Sequence, residues 1–399
     1  MANLSSEPPH SESSAMSPAT PGDMRQRIRA MDGDMRQRTP DVRRRMRGEV
    51  DPSTIRRALL IRPRFAGDLC LVLPVLEHVV RLAPGVRVDF LAEQPYAQLL
   101  EGDPRLHRLL TVPRKPSTKE SARLFGWLAG AGYDLVLDLF CNPRTAVWTA
   151  ATGARVRVGY RGKGWRSAVY NRHPVHEGKS AVRWHLASIA ALGWPVDAGA
   201  VPSLPVSAKE VAAMRTHLKL NGDQRLVAIH PGARWPTRQW DPARYAALAR
   251  RAAEHARVLV LGGPGEEALA ERIVAEAQSP RCTAVTDLDL RQLAALLAAC
   301  DAFVGPDSGP LHVSVAVGTP TVGIFGRNEP ERFFPYPASR GHRAVYAGVW
   351  CSPCDLDVCS HTSCLRALGP NLVWNALAEI LERQTPWPAR ARADAVAVS

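Results

Sequence analysis

Long apolar segments are missing from this 399-residue chain. No apolar run reaches the roughly 18 residues that a membrane-spanning helix needs. The first twenty residues are polar and lack the apolar core of a signal peptide. Aromatic residues make up only 6% of the chain, without an RNP-like run, so a nonenzymatic nucleic-acid-binding protein rests on charge alone. The sequence therefore predicts a cytoplasmic protein, with peripheral contact at a membrane surface left open.

Common catalytic motifs are absent as well. No complete GxGxxG follows a predicted strand, and the chain contains no GxxxxGK[ST], HExxH or GxSxG. Dehydrogenases of the Rossmann type, P-loop nucleotidases, zincins and α/β-hydrolases therefore lose their main support. A nicotinamide-dependent oxidoreductase stays an alternative only because strands and helices alternate along the chain.

The composition is that of a folded protein with an unusual leader. Apolar residues are 46% and charged residues 22%, and the length suggests two or three domains. Residues 1–50 are rich in Arg, Ser and Pro and repeat DMRQR at 23–27 and 34–38, which predicts a disordered leader.

The net charge of +13 is concentrated in one part of the chain. Residues 51–205 hold 21 Lys and Arg against 12 Asp and Glu. This segment is expected to attract a partner that carries phosphates or carboxylates, although a merely solvated basic surface explains the count equally well.

Two successive α/β segments are predicted. Short apolar runs predict buried parallel strands at 58–61, 86–91, 133–139, 226–230, 257–261, 302–305 and 321–326. Helices are predicted at 69–84, 242–253, 290–299 and 311–317. The Pro-rich stretch 196–210 reads as a hinge, which gives domains at 56–205 and 206–385 with a cleft between them.

The turns that follow these strands hold the candidate binding residues, because ligands of open α/β sheets bind beyond the carboxyl ends of strands. Asp307, Ser308 and Gly309 precede an apolar helix, where free amides can bind a diphosphate or where the residues simply cap the helix. His312, one turn later, either faces the same ligand or is a half-buried helical histidine.

Two further loops offer polar groups. Thr237 and Arg238 follow a strand and would hold a phosphate oxygen. Glu266 follows a Gly-rich turn and either accepts hydrogen bonds from sugar hydroxyls or is an exposed acid at a helix start.

Asp68 stands apart from these groups. It follows Gly67 in a strand-to-helix turn, with Arg62 and Arg64 nearby. A carboxylate at this place is either a helix cap or a general base that opens onto the cleft.

Four of the eight cysteines are close in sequence, at Cys351, Cys354, Cys359 and Cys364. The first pair has the CxxC spacing of zinc sites, but the second pair is split by four residues. Reduced structural thiols, a structural metal and disulfides all remain open, and a reducing cytosol disfavours the last.

Taken together, three segments resemble glycosyltransferase family nine, the ADP-heptose:lipopolysaccharide heptosyltransferases. They are ALLIRPRFAGDLCLVLPVLEHVVRLAPGVRVDFLAE, VAIHPGARWPTRQWDPARYAALA and FVGPDSGPLHVSVAVGTPTVGIFG, and the resemblance covers about residues 56–385. It implies a GT-B fold with two Rossmann-like parallel-sheet domains that face an interdomain cleft.

The resemblance also implies roles. Asp68 would be the general base of an inverting transfer of heptose from ADP-heptose to an anionic glycolipid, a lipid A/Kdo-type acceptor at the inner membrane. Thr237, Arg238, Glu266, Asp307, Ser308, Gly309 and His312 would bind the donor, and Arg62, Arg64 and Arg144 the acceptor. No cofactor is implied, because amides and Arg238 would stabilise the leaving nucleotide, and no nucleic acid is expected.

The chain departs from the family in several places. Arg238 stands where the family usually has Lys, RPRFAGD replaces a loop with small hydroxyl residues, and the leader has no counterpart. Cysteine-bearing segments like CSPCDLDVC occur in some members. A member that serves another nucleotide sugar, another glycan or a secondary metabolite is the nearest alternative.

Overall fold

The computed structural model describes residues 48–162, 164–176, 178–220 and 224–383. The predicted leader lies outside the described residues, except for its last three positions. Val50 is buried, its amide donates to the Leu192 carbonyl at 2.9 Å, and its carbonyl accepts from Trp194 Nε1 at 2.7 Å. Packing onto the folded body therefore begins before residue 56, where the first domain was expected to start.

The first sheet contains five parallel strands among the described residues, in the order β3-β2-β1-β4-β5. They are β1 (Arg57–Ile61), β2 (Arg87–Glu93), β3 (Arg108–Val112), β4 (Leu135–Asp138) and β5 (Val156–Gly159). The central strand β1 pairs with both β2 and β4, so that Leu59 lies opposite Asp89 on one side and Val136 on the other. The strand order reverses here, and a ligand is expected beyond the ends of β1 and β4.

Helices cover this sheet, and three of the five begin at a side-chain cap. They are α1 (Ala66–Leu82), α2 (Thr118–Gly130), α3 (Pro143–Ala151), α4 (Arg166–Val169) and α5 (Ala181–Ala190). Ser117 and Glu120 form a capping box at α2, and Asn142 caps α3 with Pro143 in its first turn. The central helix α1 is buried along most of its length because it packs between the sheet and the second half of the chain.

The second sheet contains six parallel strands among the described residues, in the order β11-β10-β9-β6-β7-β8. They are β6 (Leu226–Ile229), β7 (Arg257–Leu261), β8 (Cys282–Val285), β9 (Ala302–Pro306), β10 (Thr321–Phe325) and β11 (Arg343–Tyr346). The accompanying helices are α6 (Ala208–His217), α7 (Pro242–Ala252), α8 (Glu267–Ala277), α9 (Leu290–Ala299), α10 (Gly309–Ala316), α11 (Pro330–Phe333), α12 (Ser363–Arg366) and α13 (Pro370–Arg383). The order reverses between β6 and β9, which places the second expected binding point at the ends of these two strands.

Each predicted strand and helix is confirmed, with boundaries shifted by a few residues. Within the part of the chain that the structure describes, no helix combines the length and the apolar character needed to cross a bilayer.

Arg291 ties the chain together near Pro205, the predicted boundary. Its guanidinium donates to the carbonyls of Leu99 at 3.1 Å and Pro205 at 3.0 Å, and it pairs with Glu210 at 2.6 Å. One side chain on α9 thus connects the first half, the connecting segment and α6.

Candidate active site

The loop after β1 holds the candidate base. Asp68 lies in the first turn of α1, is one-third exposed, and pairs with Arg62 Nη2 at 3.0 Å. Arg62 itself is buried: Nη1 donates to the Leu139 carbonyl at 2.5 Å, and the guanidinium lies 5.1 Å from the Phe140 ring centroid. The ends of β1 and β4 therefore jointly orient the carboxylate toward solvent.

The other two predicted acceptor residues meet on a carboxylate that the sequence analysis did not select. Arg64 Nε lies 2.9 Å from the Glu93 carboxylate, and Arg144 Nη2 pairs with the same group. Glu93 ends β2, and its side chain is almost fully buried. The guanidinium groups of Arg64 and Arg144 remain partly exposed, so each can still present N–H donors to a ligand.

Asp307 is the centre of the predicted donor site. Its carboxylate accepts from Asn328 Nδ2 at 2.9 Å, pairs with Arg238 Nη1 at 3.1 Å and lies 3.6 Å from His312 Nε2. Burial alone would raise the pKa of Asp307, but His312, Arg238 and Asn328 together lower it. The carboxylate therefore remains charged, and it fixes the positions of the three side chains around it.

The half-buried Arg238, which pairs with this carboxylate, lies near the buried Arg327. Burial lowers the pKa of Arg238, Asp307 opposes the change, and the nearby Arg327 adds to it. Arg327 pairs with Asp357. The Nε atoms of both arginines are buried and have no hydrogen-bond partner among the described residues. Unsatisfied buried donors of this kind suit an anionic ligand.

Of the remaining residues predicted to bind the donor, Ser308 and Gly309 lie where free amides were expected, whereas the Thr237 hydroxyl is already engaged. Ser308 and Gly309 begin α10, with Pro310 in its first turn, and the Ser308 side chain makes no capping bond to the helix. The α10 amides therefore remain unoccupied by a side-chain cap, as anion binding requires. Thr237 is buried, and its hydroxyl donates to the Asp357 carbonyl at 3.3 Å, so it supports the loop more than it offers a free donor.

Glu266 belongs to a polar chain across the ends of β6, β7 and β9. Its Oε2 lies 3.0 Å from His230 Nε2 and accepts from the Gly263 amide at 2.9 Å, and His230 Nδ1 lies 3.4 Å from Ser308 Oγ. The hydrogen bond with His230 lowers the pKa of Glu266. The Glu266 side chain is 29% exposed, so the charged carboxylate can still accept hydrogen bonds from sugar hydroxyls.

The base loop and the donor loop touch each other. A Cβ added to Gly67 would lie 2.7 Å from His312 Cδ2, and one added to Gly309 would lie 3.3 Å from Ala66 Cβ. Nearby, the Arg234 guanidinium lies 5.2 Å from the Phe65 ring centroid. The first turns of α1 and α10 thus meet, which brings Asp68 and the Asp307 cluster to one place.

The four clustered cysteines do not assemble a metal site. All four are free thiols, and Cys364 is buried while the other three are half-buried. Across the described ranges, no group of three or more His, Cys, Asp or Glu side chains is arranged to hold a metal ion. Of the three interpretations of the CxxC spacing, the described structure shows free thiols, and the segment after β11 is held in part by the Cys354 amide, which donates to the Arg327 carbonyl at 3.0 Å.

Several site residues escaped the sequence analysis. They are Glu93, His230, Arg327, Asn328 and Tyr336, whose hydroxyl lies 3.1 Å from His312 Nδ1. Each stands at or just beyond a strand end, except Tyr336, which follows α11. Polar residues at the end of a predicted strand or just after it were the available signal for His230, Arg327 and Asn328.

Comparison with known proteins identifies the family. Residues 121–364 match Glycosyltransferase family 9 (heptosyltransferase). The chain belongs to this family. As a family member it is a glycosyltransferase, which confirms the resemblance drawn from the three segments.

Relatives with assigned functions share about a quarter of their residues with this chain. Lipopolysaccharide heptosyltransferase 3 of Escherichia coli is 28% identical over 303 residues, 71% of this chain and 87% of that protein. Lipopolysaccharide heptosyltransferase 1 of Pseudomonas aeruginosa is 27% identical over 324 residues, 76% of this chain and 88% of that protein.

Solved structures confirm the GT-B fold. A family 9 glycosyltransferase of Veillonella parvula superposes with a TM-score of 0.72 at 18% identity, covering 84% of this chain and 99% of that one. The Escherichia coli ADP-heptose lipopolysaccharide heptosyltransferase II superposes with a TM-score of 0.70 at 23% identity, covering 82% and 99%.

Proposed function

We propose that this glycosyltransferase moves heptose from ADP-heptose to a lipid A/Kdo-type acceptor of the lipopolysaccharide inner core, with inversion at the anomeric carbon. The observation that carries the proposal is the contact between the Asp68 loop and the Asp307 loop. It brings a partly exposed carboxylate beside two guanidinium groups with unsatisfied donors. The heptosyltransferase names of the relatives support the choice of sugar.

The donor diphosphate would lie at the first turn of α10. The free amides after Ser308 and the guanidinium groups of Arg238 and Arg327 supply hydrogen-bond donors and positive charge there. Asp307 holds Arg238 in place, and His312 is held between Asp307 and Tyr336. Glu266, which His230 holds in place, would accept hydrogen bonds from the hydroxyls of the nucleoside.

The transfer itself is a single displacement. An acceptor hydroxyl attacks the anomeric carbon while Asp68 accepts its proton. The bond from that carbon to the phosphate oxygen breaks, and its electron pair leaves with the nucleoside diphosphate. The charge that develops on the leaving oxygen is stabilised by Arg238, Arg327 and the α10 amides, which are already oriented before the reaction.

The acceptor would be bound by the basic first half of the chain. Arg62, Arg64 and Arg144 lie beyond the ends of the first sheet's strands, on the side of Asp68. The net positive charge of residues 51–205 complements an anionic glycolipid. We place the enzyme at the cytoplasmic face of the inner membrane, in peripheral contact with it, because such an acceptor is embedded there.

No metal is needed in this scheme, because arginines and amides supply the positive charge. One structural neighbour, an Escherichia coli glycosyltransferase at 18% identity with a TM-score of 0.51, is described as iron-containing. The Cys351–Cys364 segment does not fit a metal in the arrangement described here. Metal analysis of the purified protein would test this: less than one-tenth equivalent of iron or zinc supports it, and a stoichiometric amount contradicts it.

Thermal unfolding against a ligand panel tests the donor. A ligand at about 100 times its Kd stabilises the native state by about 2.7 kcal/mol. We expect ADP-heptose and ADP to raise the melting temperature, and UDP, GDP and NAD to have no effect. Stabilisation by another nucleotide sugar would keep the mechanism and replace heptose. Stabilisation by duplex DNA alone, with a steep salt dependence, would favour a nucleic-acid-binding protein.

A further inference from the structure

A cavity of about 420 Å³ opens at the edge of the first sheet, beside the candidate base. Polar and aromatic side chains dominate its wall: Arg62, Arg161, Arg166, Tyr160, Trp184 and His185. It lies beyond the ends of β4 and β5, and it shares Arg62 with the Asp68 ion pair. None of the donor residues lines it.

The cavity carries more positive than negative charge. Arg166 donates to the Cys141 carbonyl at 3.0 Å, and no carboxylate of the described residues pairs with Arg161 or Arg166. Arg62 is only 8% exposed, yet its Nε has no hydrogen-bond partner in the described parts of the chain. Because an unsatisfied buried guanidinium nitrogen is costly, the site is built for an anion.

Asp138, next in sequence to the cavity-lining Leu139, forms no ion pair with Arg62, Arg161 or Arg166 among the described residues. Its carboxylate accepts from the amides of Phe140 and Cys141 and from the Tyr170 hydroxyl. Burial raises the pKa of Asp138 and these hydrogen bonds oppose the rise, so the carboxyl group is already engaged within the protein.

Aromatic faces stand beside the guanidinium groups. Trp184 is 46% exposed, unusually open for an aromatic residue of this size. Its ring packs on Tyr160 with centroids 5.0 Å apart, and the Tyr160 hydroxyl donates to the Trp184 carbonyl at 3.0 Å. The ring therefore has a packing partner and is still exposed enough to contact the apolar face of a sugar.

We infer that this cavity binds an anionic sugar of the acceptor, and that its anion draws Arg62 away from Asp68 and so frees the base. Arg62 Nη2 donates to Asp68 at 3.0 Å in the described structure. A carboxylate or phosphate bound to Arg62 and Arg161 competes for the same guanidinium. The released Asp68 oxygen then accepts the proton of the attacking hydroxyl. The inference rests on the proposed function for the identity of the acceptor, but not for the anion site.

Anion binding is measured first, without turnover. The full-length protein, with its donor site saturated by ADP, is titrated with inorganic phosphate by calorimetry. We expect binding to the wild type, at least tenfold weaker binding to Arg161→Ala, and wild-type binding to the control Arg366→Ala, which removes an exposed guanidinium on α12. Equal phosphate affinity in Arg161→Ala and wild type would overturn the site.

Turnover then tests the coupling and the sugar face. With the anionic acceptor, phosphate should inhibit competitively. With the same acceptor esterified at its carboxyl groups, phosphate should raise kcat, because it replaces the missing anion. If phosphate inhibits with both acceptors, anion binding does not release Asp68 from Arg62. Trp184→Ala should raise the acceptor KM about tenfold and leave phosphate affinity unchanged.

The two proposals fail separately. Absence of transfer from any ADP-sugar would reject the proposed function, while phosphate binding would still decide the anion site.

Discussion

Arg238 Nη1 lies 3.1 Å from Asp307 Oδ2 and donates at 3.1 Å to the carbonyl of the same residue. One guanidinium therefore joins the loop after β6 to the loop after β9, the two strands between which the sheet order reverses. Its Nε points into a buried space without a partner among the described residues. The pair holds the arginine ready for a ligand instead of neutralising it completely.

Removing this guanidinium should weaken donor binding. We expect Arg238→Ala to reduce ADP affinity by about 10- to 100-fold, because hydrogen bonds to charged groups contribute about 1.5–3 kcal/mol each. Arg238→Lys keeps the charge and should lose less than tenfold. Calorimetric titration with ADP measures both, and equal losses in the two variants would show that fork geometry, not charge, matters.

Replacing the candidate base should affect turnover alone. Asp68→Asn removes the proton acceptor and should lower kcat by about 100- to 10,000-fold. Asparagine is an equally good residue near a helix start, so folding should be preserved. The matched control is Glu77→Gln, an exposed carboxylate on the same helix. If Asp68→Asn retains wild-type kcat, Asp68 is not the base.

A buried histidine should make the protein sensitive to acid. Burial, aided by Arg340 and Arg343, lowers the pKa of His342 to about 4. Below pH 6.5 this histidine is protonated in the unfolded chain but stays neutral in the folded protein. The free energy of unfolding therefore falls between pH 6.5 and 4, by up to about 3 kcal/mol.

Denaturant unfolding over that pH range tests this effect. His342→Leu should flatten the pH dependence, whereas His217→Leu, an exposed site, should not. Burial also lowers the pKa of His185, so part of the acid sensitivity should remain in His342→Leu. An unchanged slope in His342→Leu would contradict the assignment.

The pairing of Glu210 with Arg291 should stabilise the native state above pH 4.5. The hydrogen bond with Arg291 lowers the pKa of Glu210 to about 2. The stabilisation is thus complete above the unfolded pKa and is lost as the pH falls toward 2. Since the carboxylate is one-third exposed, we expect Glu210→Gln to cost only about 1 kcal/mol at pH 7.

Urea unfolding at neutral and acidic pH measures this difference. The control is Glu276→Gln, which removes the exposed partner of Arg272 and should change stability by less than about 0.5 kcal/mol. A Glu210→Gln loss that persists at pH 2 would mean that the contact is not electrostatic.

The strands that escaped prediction share one position in the fold. β3, β5, β8 and β11 are the edge strands of the two sheets. A central strand of a parallel sheet is buried on both faces and reads as an apolar run, as β1 and β7 do. An edge strand such as β3 or β11 is exposed at several positions, so no apolar run identifies it.

The site was predictable only where chemistry follows a strand end. Asp68, Asp307 and Glu266 were selected in this way, and each lies just beyond the end of a strand. Glu93 was missed because it is the last residue of a buried strand, where its partners Arg64 and Arg144 become visible only after folding. Likewise, CxxC spacing cannot show whether four thiols point to one centre.

The glycine at position 67 has a consequence for the spacing of the two loops. A Cβ added there would lie 2.7 Å from Cδ2 of the His312 ring and 3.5 Å from the Gly309 Cα, so the close approach of the Asp68 turn to the first turn of α10 depends on the missing side chain. A side chain at position 67 would therefore push the first turns of α1 and α10 apart, and with them Asp68 and the Asp307 cluster.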